Sequence, residues 1–292
     1  MTAVLAPGKV LHPARFGDKL IVAIGEMLAP YGPLDVLDPF AGTGRVHELR
    51  ALGHHTTGVE IEPAWAALHP GTIEGNSLRL APLFKSQMFQ AVITSPSFGN
   101  RLADHHDNQD TCKRCKGSGL EGARACRTCG GTGISMRRSY THDLRRMTGD
   151  PTAKLHEDNS GKMHWGPEYR SFHEKVWAQV PGLLVGPRLF LLNIKDHVRN
   201  RERQPVAQWH VGTLTRLGFQ VLRWEEINTG GLRYGANRER FPESLVLMQL
   251  GHDTEPLHQS RRHTCTPGCN PGKSSVGARS MSQPCPNKEE NQ

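Results

Sequence analysis

The sequence predicts an α/β protein built on an open, mostly parallel sheet with helices on both faces. Three observations carry this. Short apolar runs alternate with stretches of helical spacing, the pattern of βαβ units. The first run stops at a glycine turn, AGTG, which is where an open α/β sheet places its ligand. The chain has 292 residues, enough for one large α/β domain with attachments.

The elements follow in order. FGDKLIVAIGEML (16–28) puts Leu20, Ile21, Ile24, Met27 and Leu28 on one helical face. PLDVLDPF reads as a short buried strand. The turn AGTG and a helix, RVHELRAL, come next. TTGVEIEP is a second strand that ends on acid, and MFQAVITS is a third. Residues 104–163 break the pattern: they are polar, rich in Gly, Cys, Arg and Asn, and too long for an ordinary loop. An insertion with its own stabiliser, or a partly disordered segment, is expected there. A helix near 168–180, a strand RLFLLNI and a helix PVAQWHVGTLTRLG resume the alternation. The strands FQVLRWEE and SLVLMQL complete the sheet. After Gly251 the composition turns to Ser, Pro, Asn and Lys, so 252–292 is expected to be a flexible tail.

Composition narrows the function. No apolar run approaches the ~18 residues of a membrane helix. The start lacks a basic segment followed by an apolar core, so no secretory signal is expected and the expected compartment is the cytoplasm. The net charge of +8 favours a polyanionic partner, although it is also ordinary solubilising charge. Seven cysteines fall in two clusters, four in 112–129 and three in 265–285, which suits metal ligands better than disulfides.

LDPFAGTG admits three nucleotide readings. A phosphate-binding P-loop needs Gly-Lys-Ser/Thr, but Gly44 is followed by Arg45-Val46. A dinucleotide fingerprint needs a third glycine where His47 stands. S-adenosylmethionine remains, beside a purely structural turn: its sulfonium is cationic, so Asp38 before the glycines suits it and would repel a phosphate. Glu60, closing the second strand, has a carboxylate able to accept both ribose hydroxyls.

AVITSPSFGN (91–100) ends a strand on a hydroxyl, a proline and an aromatic. A nucleobase amine is a poor nucleophile because its lone pair is conjugated into the ring. Acceptors that hold its hydrogens favour a tetrahedral nitrogen. The Ser95 hydroxyl and the Pro96 carbonyl are two such acceptors, side by side, and proline fixes the backbone. Phe98 can stack on the ring, worth ~1–3 kcal/mol in nucleic-acid sites. The methylated nitrogen is acidic, so no strong base is required. The target base must leave the duplex to be reached. Alone, Ser-Pro-Ser-Phe also reads as a plain strand-ending turn.

Together, VLDPFAGTG and TSPSFGNR resemble the S-adenosylmethionine-dependent DNA amino methyltransferases, which make N4-methylcytosine or N6-methyladenine. SPSFGNRLADHH, NSGKMHWGPEYRSFHE and LFLLNIKDHVR look like a phage-type branch of that family, over roughly residues 10–250. The resemblance implies a Rossmann-like methyltransferase domain over 1–250 with a seven-stranded sheet, and the host cytoplasm if the chain is phage-encoded. It implies that Asp38, Phe40, Ala41, Gly42 and Gly44 frame the cofactor's methionine part. Glu60 would hold the ribose, Ile61 would lie against the adenine, and Asn76 and Ser77 would lie near its edge. LHPARFGDKL resembles the family's first helix and puts His12 and Phe16 near the methionine end. Ser95, Pro96 and Phe98 would be catalytic. The family's second proline is Ser97 here, which is expected to loosen the grip. A leading Ser is more typical of cytosine N4 enzymes.

CKRCKGSG and CRTCGGTG are two copies of Cys-x-x-Cys-x-Gly-x-Gly. Cys112, Cys115, Cys126 and Cys129 would complete a tetrahedral four-thiolate Zn2+ site with no open position, hence structural, within an insertion over 110–135. Disulfides or idle thiols are the alternatives. The unit resembles the knuckles of J-protein chaperones, but the chain has no His-Pro-Asp triplet. Lys113, Arg114, Lys116, Arg124, Arg127, Arg137 and Arg138 crowd it, and double-stranded DNA is the expected partner over a merely solvated face. Weaker candidates are a second metal site at His263, Cys265, Cys269 and Cys285, the pair His105-His106, which reads better as a hydrated loop than as ligands, and GLRYGANRER, which reads equally as a target-reading loop or a hairpin-type connection. Two other functions stay open: an RNA or tRNA base methyltransferase, and a catalytically lapsed zinc-dependent DNA-binding protein.

Overall fold

The computed structural model describes residues 16–99, 110–127, 129, 131, 133–135, 140–150, 152–199, 202–229 and 241–251. His12, Arg137, Arg138, the His105-His106 pair, GLRYGANRER and the stretch 252–292 with its three cysteines lie outside the described residues.

Seven strands form the central sheet: β1 (Asp35–Asp38), β2 (His55–Glu60), β3 (Thr72–Glu74), β4 (Phe89–Thr94), β5 (Leu184–Ile194), β6 (Phe219–Ile227) and β7 (Glu243–Leu250). Their spatial order is β3-β2-β1-β4-β5-β7-β6. The pairs from β3 through β5 are parallel, and β7 runs antiparallel to both β5 and β6. This is the Rossmann-like methyltransferase architecture that the resemblance implies.

The inner strands β1, β4, β5 and β7 carry consecutive buried apolar residues because both faces are covered. Side chains alternate between two cores. Leu37, Val92, Phe190, Leu192, Val246 and Met248 face one core, where α5 (Pro167–Trp177) and α6 (Val206–Arg216) contribute Tyr169, Trp177 and Leu214. Val36, Ala91, Ile93, Leu189, Leu191 and Leu245 face the other, under α1 (Asp18–Leu28) with its Leu20, Ile24 and Met27. Ile21, read as part of that apolar face, is only partly buried at its margin. Three short helices complete the description: α2 (Pro63–Ala66), α3 (Leu80–Phe84) and α4 (Tyr140–Thr148). No helix among the described residues is long and apolar enough to cross a membrane.

Three expectations change. RVHELRAL is a 3-10 helix, Arg45–Leu52, bounded by left-handed Gly44 and Gly53. Its buried Val46 and Leu49 are three apart, the spacing a 3-10 turn eclipses. MFQAVITS is the fourth strand in the chain, because Thr72–Glu74 precedes it as an edge strand too short and polar to announce itself. The polar stretch 104–163 holds α4, whose Tyr140 and Leu144 pack on Trp65 and Leu155.

Candidate active site

β1, β2 and β4 end side by side, and their carboxyl-terminal loops surround one cleft. Phe40, Ala41 and Gly42 after β1, Glu60 and Ile61 at the end of β2, and Asn76 and Ser77 after β3 line one part. Ser95, Pro96, Ser97 and Phe98 after β4 line another, and Phe16 closes the side nearest α1. Of the described residues expected to hold the cofactor, Asp38 and Gly44 do not line the cleft: Asp38 is buried beneath the turn. Gly44 has φ +78°, and a Cβ there would approach the His47 ring to 2.9 Å, so its task is to let the turn pack downward.

The turn is held by acids. Asp38 is almost fully buried beneath it. Its Oδ1 accepts from the Phe40 N–H at 2.9 Å and from the Thr94 hydroxyl at 2.7 Å, while Oδ2 has no partner among the described residues. Burial raises its pKa to about 7, against the lowering effect of the Thr94 and Phe40 bonds. Glu60 accepts from the Gly42 N–H at 2.9 Å through Oε2 and from the Glu62 N–H at 2.8 Å through Oε1. Each oxygen therefore keeps one lone-pair position for a ligand. Burial raises Glu60 to about 7, with Glu62 and Asp38 adding repulsion. The Ala41 N–H donates to the Val59 carbonyl at 2.9 Å, and the Ser77 hydroxyl donates to the Pro39 carbonyl. The open lone pairs on Glu60 suit paired hydroxyls, and the carboxylate of Asp38, buried beneath the turn, can act on a cationic ligand end only through its charge.

His47, standing where a dinucleotide site would need glycine, is structural. Its ring nitrogens meet the Thr56 and Thr72 hydroxyls at 2.8 and 2.9 Å, and it stacks on His69 at 3.7 Å. Burial first, then His69 and Arg50, lower its pKa to about 4.

The opposite wall was not legible. Tyr140 of α4 and Asp158, Asn159, Ser160 and Gly161 line the cleft facing Asn76 and Trp65. Glu62 fastens this segment: its Oε1 accepts from the His156 N–H at 2.8 Å and from Asn159 Nδ2 at 2.7 Å. Asn76 Nδ2 donates to Asp158 Oδ2 at 2.7 Å. The sequence signals were slight: the second acid of EIEP, and Asn159, whose side chain accepts from the Gly161 N–H. Asn193, near the end of β5, also escaped notice. Its Nδ2 donates to Ser95 Oγ at 3.2 Å and to Glu243 Oε2 at 3.0 Å. Phe98 packs partly against the core shared with α5 and α6. Gly99 has φ +66°, and its carbonyl accepts from the Trp165 N–H at 2.7 Å.

The cysteine insertion makes its own small unit. The thiol sulfurs of Cys112, Cys115, Cys126 and Cys129 lie within 4.8 Å of one another. Cys112 and Cys126 are 3.8 Å apart, and Cys115 and Cys129 are 3.7 Å apart. Four sulfurs ~2.3 Å from a tetrahedral zinc would be about 3.8 Å apart, so the cluster fits that ion. The two knuckles cross-brace reciprocally: the Cys112 N–H donates to the Gly133 carbonyl, and the Cys126 N–H to the Gly119 carbonyl, both at 2.8 Å. Lys113, Arg114, Lys116, Arg124 and Arg127 are exposed on it. Glu121 pairs with Arg114 at 2.5 Å and with Arg127 at 3.4 Å, which offsets part of that charge. The Arg114 bond, above all, lowers Glu121 to about 2.

No family model matches the chain, and no curated protein matches it. Among solved structures, the chain is similar to the glycopeptide N-methyltransferase MtfA complexed with S-adenosyl-L-homocysteine: 14% identity, TM-score 0.44, covering 84% of this chain and 94% of that one. It is also similar to TrmN from Thermus thermophilus, at 11% identity and TM-score 0.42, covering 80% and 48%. A third is magnesium protoporphyrin IX methyltransferase (ChlM) from Synechocystis with bound SAM, at 11% identity and TM-score 0.39, covering 79% and 76%.

Proposed function

We propose that the chain transfers the methyl group of S-adenosylmethionine to the exocyclic amino group of a flipped base in DNA, with cytosine N4 favoured over adenine N6. One observation carries the reading: the acid-braced glycine turn and the Ser95-Pro96 loop line a single cleft. The bound cofactor would supply an electrophilic methyl group on a cationic sulfur. The protein's residues do the rest. Gly42 meets the charged end, Asp38 attracts it from beneath the turn, and Glu60 offers the open lone pairs of its carboxylate to the ribose. Asn76 and Asp158 meet the adenine edge. Ser95 Oγ and the Pro96 carbonyl accept the target amine's hydrogens and turn its lone pair outward, while Phe98 offers a face for the base. The cationic product nitrogen releases its proton to water, so no base is needed in the loop.

The four thiolates would hold a structural Zn2+, closed to substrate, and the exposed cations around them would meet DNA phosphates. The test is incubation of the zinc-loaded protein with methyl-labelled cofactor and either unmethylated duplex DNA or RNA. Label is expected in DNA and is expected to fall about 100-fold in rate with Ser95→Ala. Label in RNA alone would favour an RNA base methyltransferase.

A further inference from the structure

Where the resembled motif has a second, stiffening proline, this chain has Ser97, and the structure surrounds Ser97 with bonds. Its hydroxyl donates to Ser160 Oγ at 2.9 Å. Its carbonyl accepts from the Tyr169 hydroxyl at 2.5 Å. Behind Tyr169 lies a buried row whose proton directions are fixed from one end. The Trp177 indole N–H, which can only donate, meets His210 Nδ1 at 3.0 Å. That nitrogen therefore carries no proton, and the single proton of the neutral ring sits on Nε2. The Nε2–H then donates to the Tyr169 oxygen at 2.7 Å, which directs the phenol's own proton to the Ser97 carbonyl. Tyr169, Trp177 and His210 are each 0% exposed, so water does not compete for these bonds. Tyr169 and Trp177 belong to α5 and His210 to α6.

We propose that Tyr169, held by His210 and Trp177, is a positioning residue that fixes the Ser95–Phe98 loop in place of the missing proline, with Ser160 as an outer anchor. The proposal rests on reading that loop as the amine grip. It gives the loop two braces: Asn193 holds Ser95 Oγ on one side of Pro96, and Tyr169 holds the Ser97 carbonyl on the other.

The test combines hydrogen exchange of loop peptides with methyl-transfer kinetics in the full-length protein, comparing wild type, Tyr169→Phe, Ser97→Pro and the double variant. Tyr169→Phe is expected to speed exchange at Phe98, whose amide is retained in the Ser97→Pro variants, about tenfold. It should lower kcat by a similar factor with the KM for cofactor unchanged, and Ser97→Pro in the same background should restore both. Wild-type exchange in Tyr169→Phe would overturn the proposal, as would faster exchange with unaltered kcat or without rescue by proline. If the wild type transfers no methyl group, the functional reading fails, and exchange with its rescue still decides whether the brace exists. If Tyr169→Phe does not fold, Ser160→Ala takes its place: exchange a few-fold faster is expected, and unchanged exchange overturns the outer anchor and the brace with it.

Discussion

The central sheet and the cysteine insertion are stabilised by opposite means. The sheet buries two apolar cores, one on each face, and β1, β4, β5 and β7 contribute to both. The insertion has four two-residue strands, at Asp110–Thr111, Leu120–Glu121, Arg124–Ala125 and Ile134–Ser135. Among the described residues its buried cluster consists of cysteines. Burial of that size does not offset the cost of ordering a segment this rich in glycine. Each part would therefore be vulnerable in its own way: the sheet to lost volume, and the insertion, if its four thiolates hold zinc as proposed, to loss of that ion.

The largest effect expected from that contrast is selective. Chelation of zinc, or Cys112→Ser, should abolish the insertion's fold, because structural zinc in small domains supplies roughly 10–16 kcal/mol. The sheet should still melt cooperatively near its original temperature. Hydrogen exchange would read both regions at once, and a sheet that unfolds together with the insertion would erase the distinction between them. A finer version uses Gly119→Ala. The new Cβ would lie 2.2 Å from the Gly131 carbonyl oxygen at φ +75°, so zinc affinity should fall strongly while the sheet is unaffected.

Next in size is the pH response of the cleft. Asp38 and Glu60 both have folded-state pKa values raised to about 7 by burial. The folded state therefore holds more protons than the unfolded state between about pH 4 and 7, and the ligand-free protein should lose stability as pH rises through that window. Above it the loss is complete. Binding of a cationic ligand should show the reverse trend, tightening toward pH 7 and levelling off above. Asp38→Asn should flatten both curves; thermal melts and calorimetry across pH 5–8 check this, and unchanged slopes would remove Asp38 from the ligand's charged end.

The smallest effect is at the insertion's surface. Arg114 and Arg127 share Glu121, so Lys113, Lys116 and Arg124 make the cleaner probe of DNA binding. Reversing those three should lower the slope of log affinity against log salt by about 0.9 for each phosphate no longer neutralised. An unaltered slope would leave the face merely solvated.

The two regions also differ in how they could be read. Six of the seven strands were visible: the buried ones as apolar runs, and Phe219–Ile227, largely exposed, through its β-branched and aromatic residues, while Thr72–Glu74, three residues long, was not. The cysteine knuckles were visible as a repeat of Cys-x-x-Cys spacing, which needs no periodicity. The cleft was half visible. Residues in the turn and loop sit next to one another in the chain. Tyr140, Asp158 and Asn193 reach the site only through tertiary contacts such as Glu62 to Asn159 and Asn193 to Ser95, which span about a hundred residues. His47 shows the converse, a histidine beside the glycine turn whose partners, Thr56 and Thr72, make it part of the frame.

If the cleft methylates an amine on a DNA base, the identity of the product shows it without intermediaries. Duplex DNA and RNA treated with the zinc-loaded protein and cofactor would be digested to nucleosides and analysed by mass spectrometry. The expected product is N4-methylcytosine from DNA, with N6-methyladenine as the other product consistent with an amine grip. A methyl group on a ring carbon, methylated nucleosides from RNA alone, or no transfer despite bound cofactor and bound DNA would contradict the proposed function.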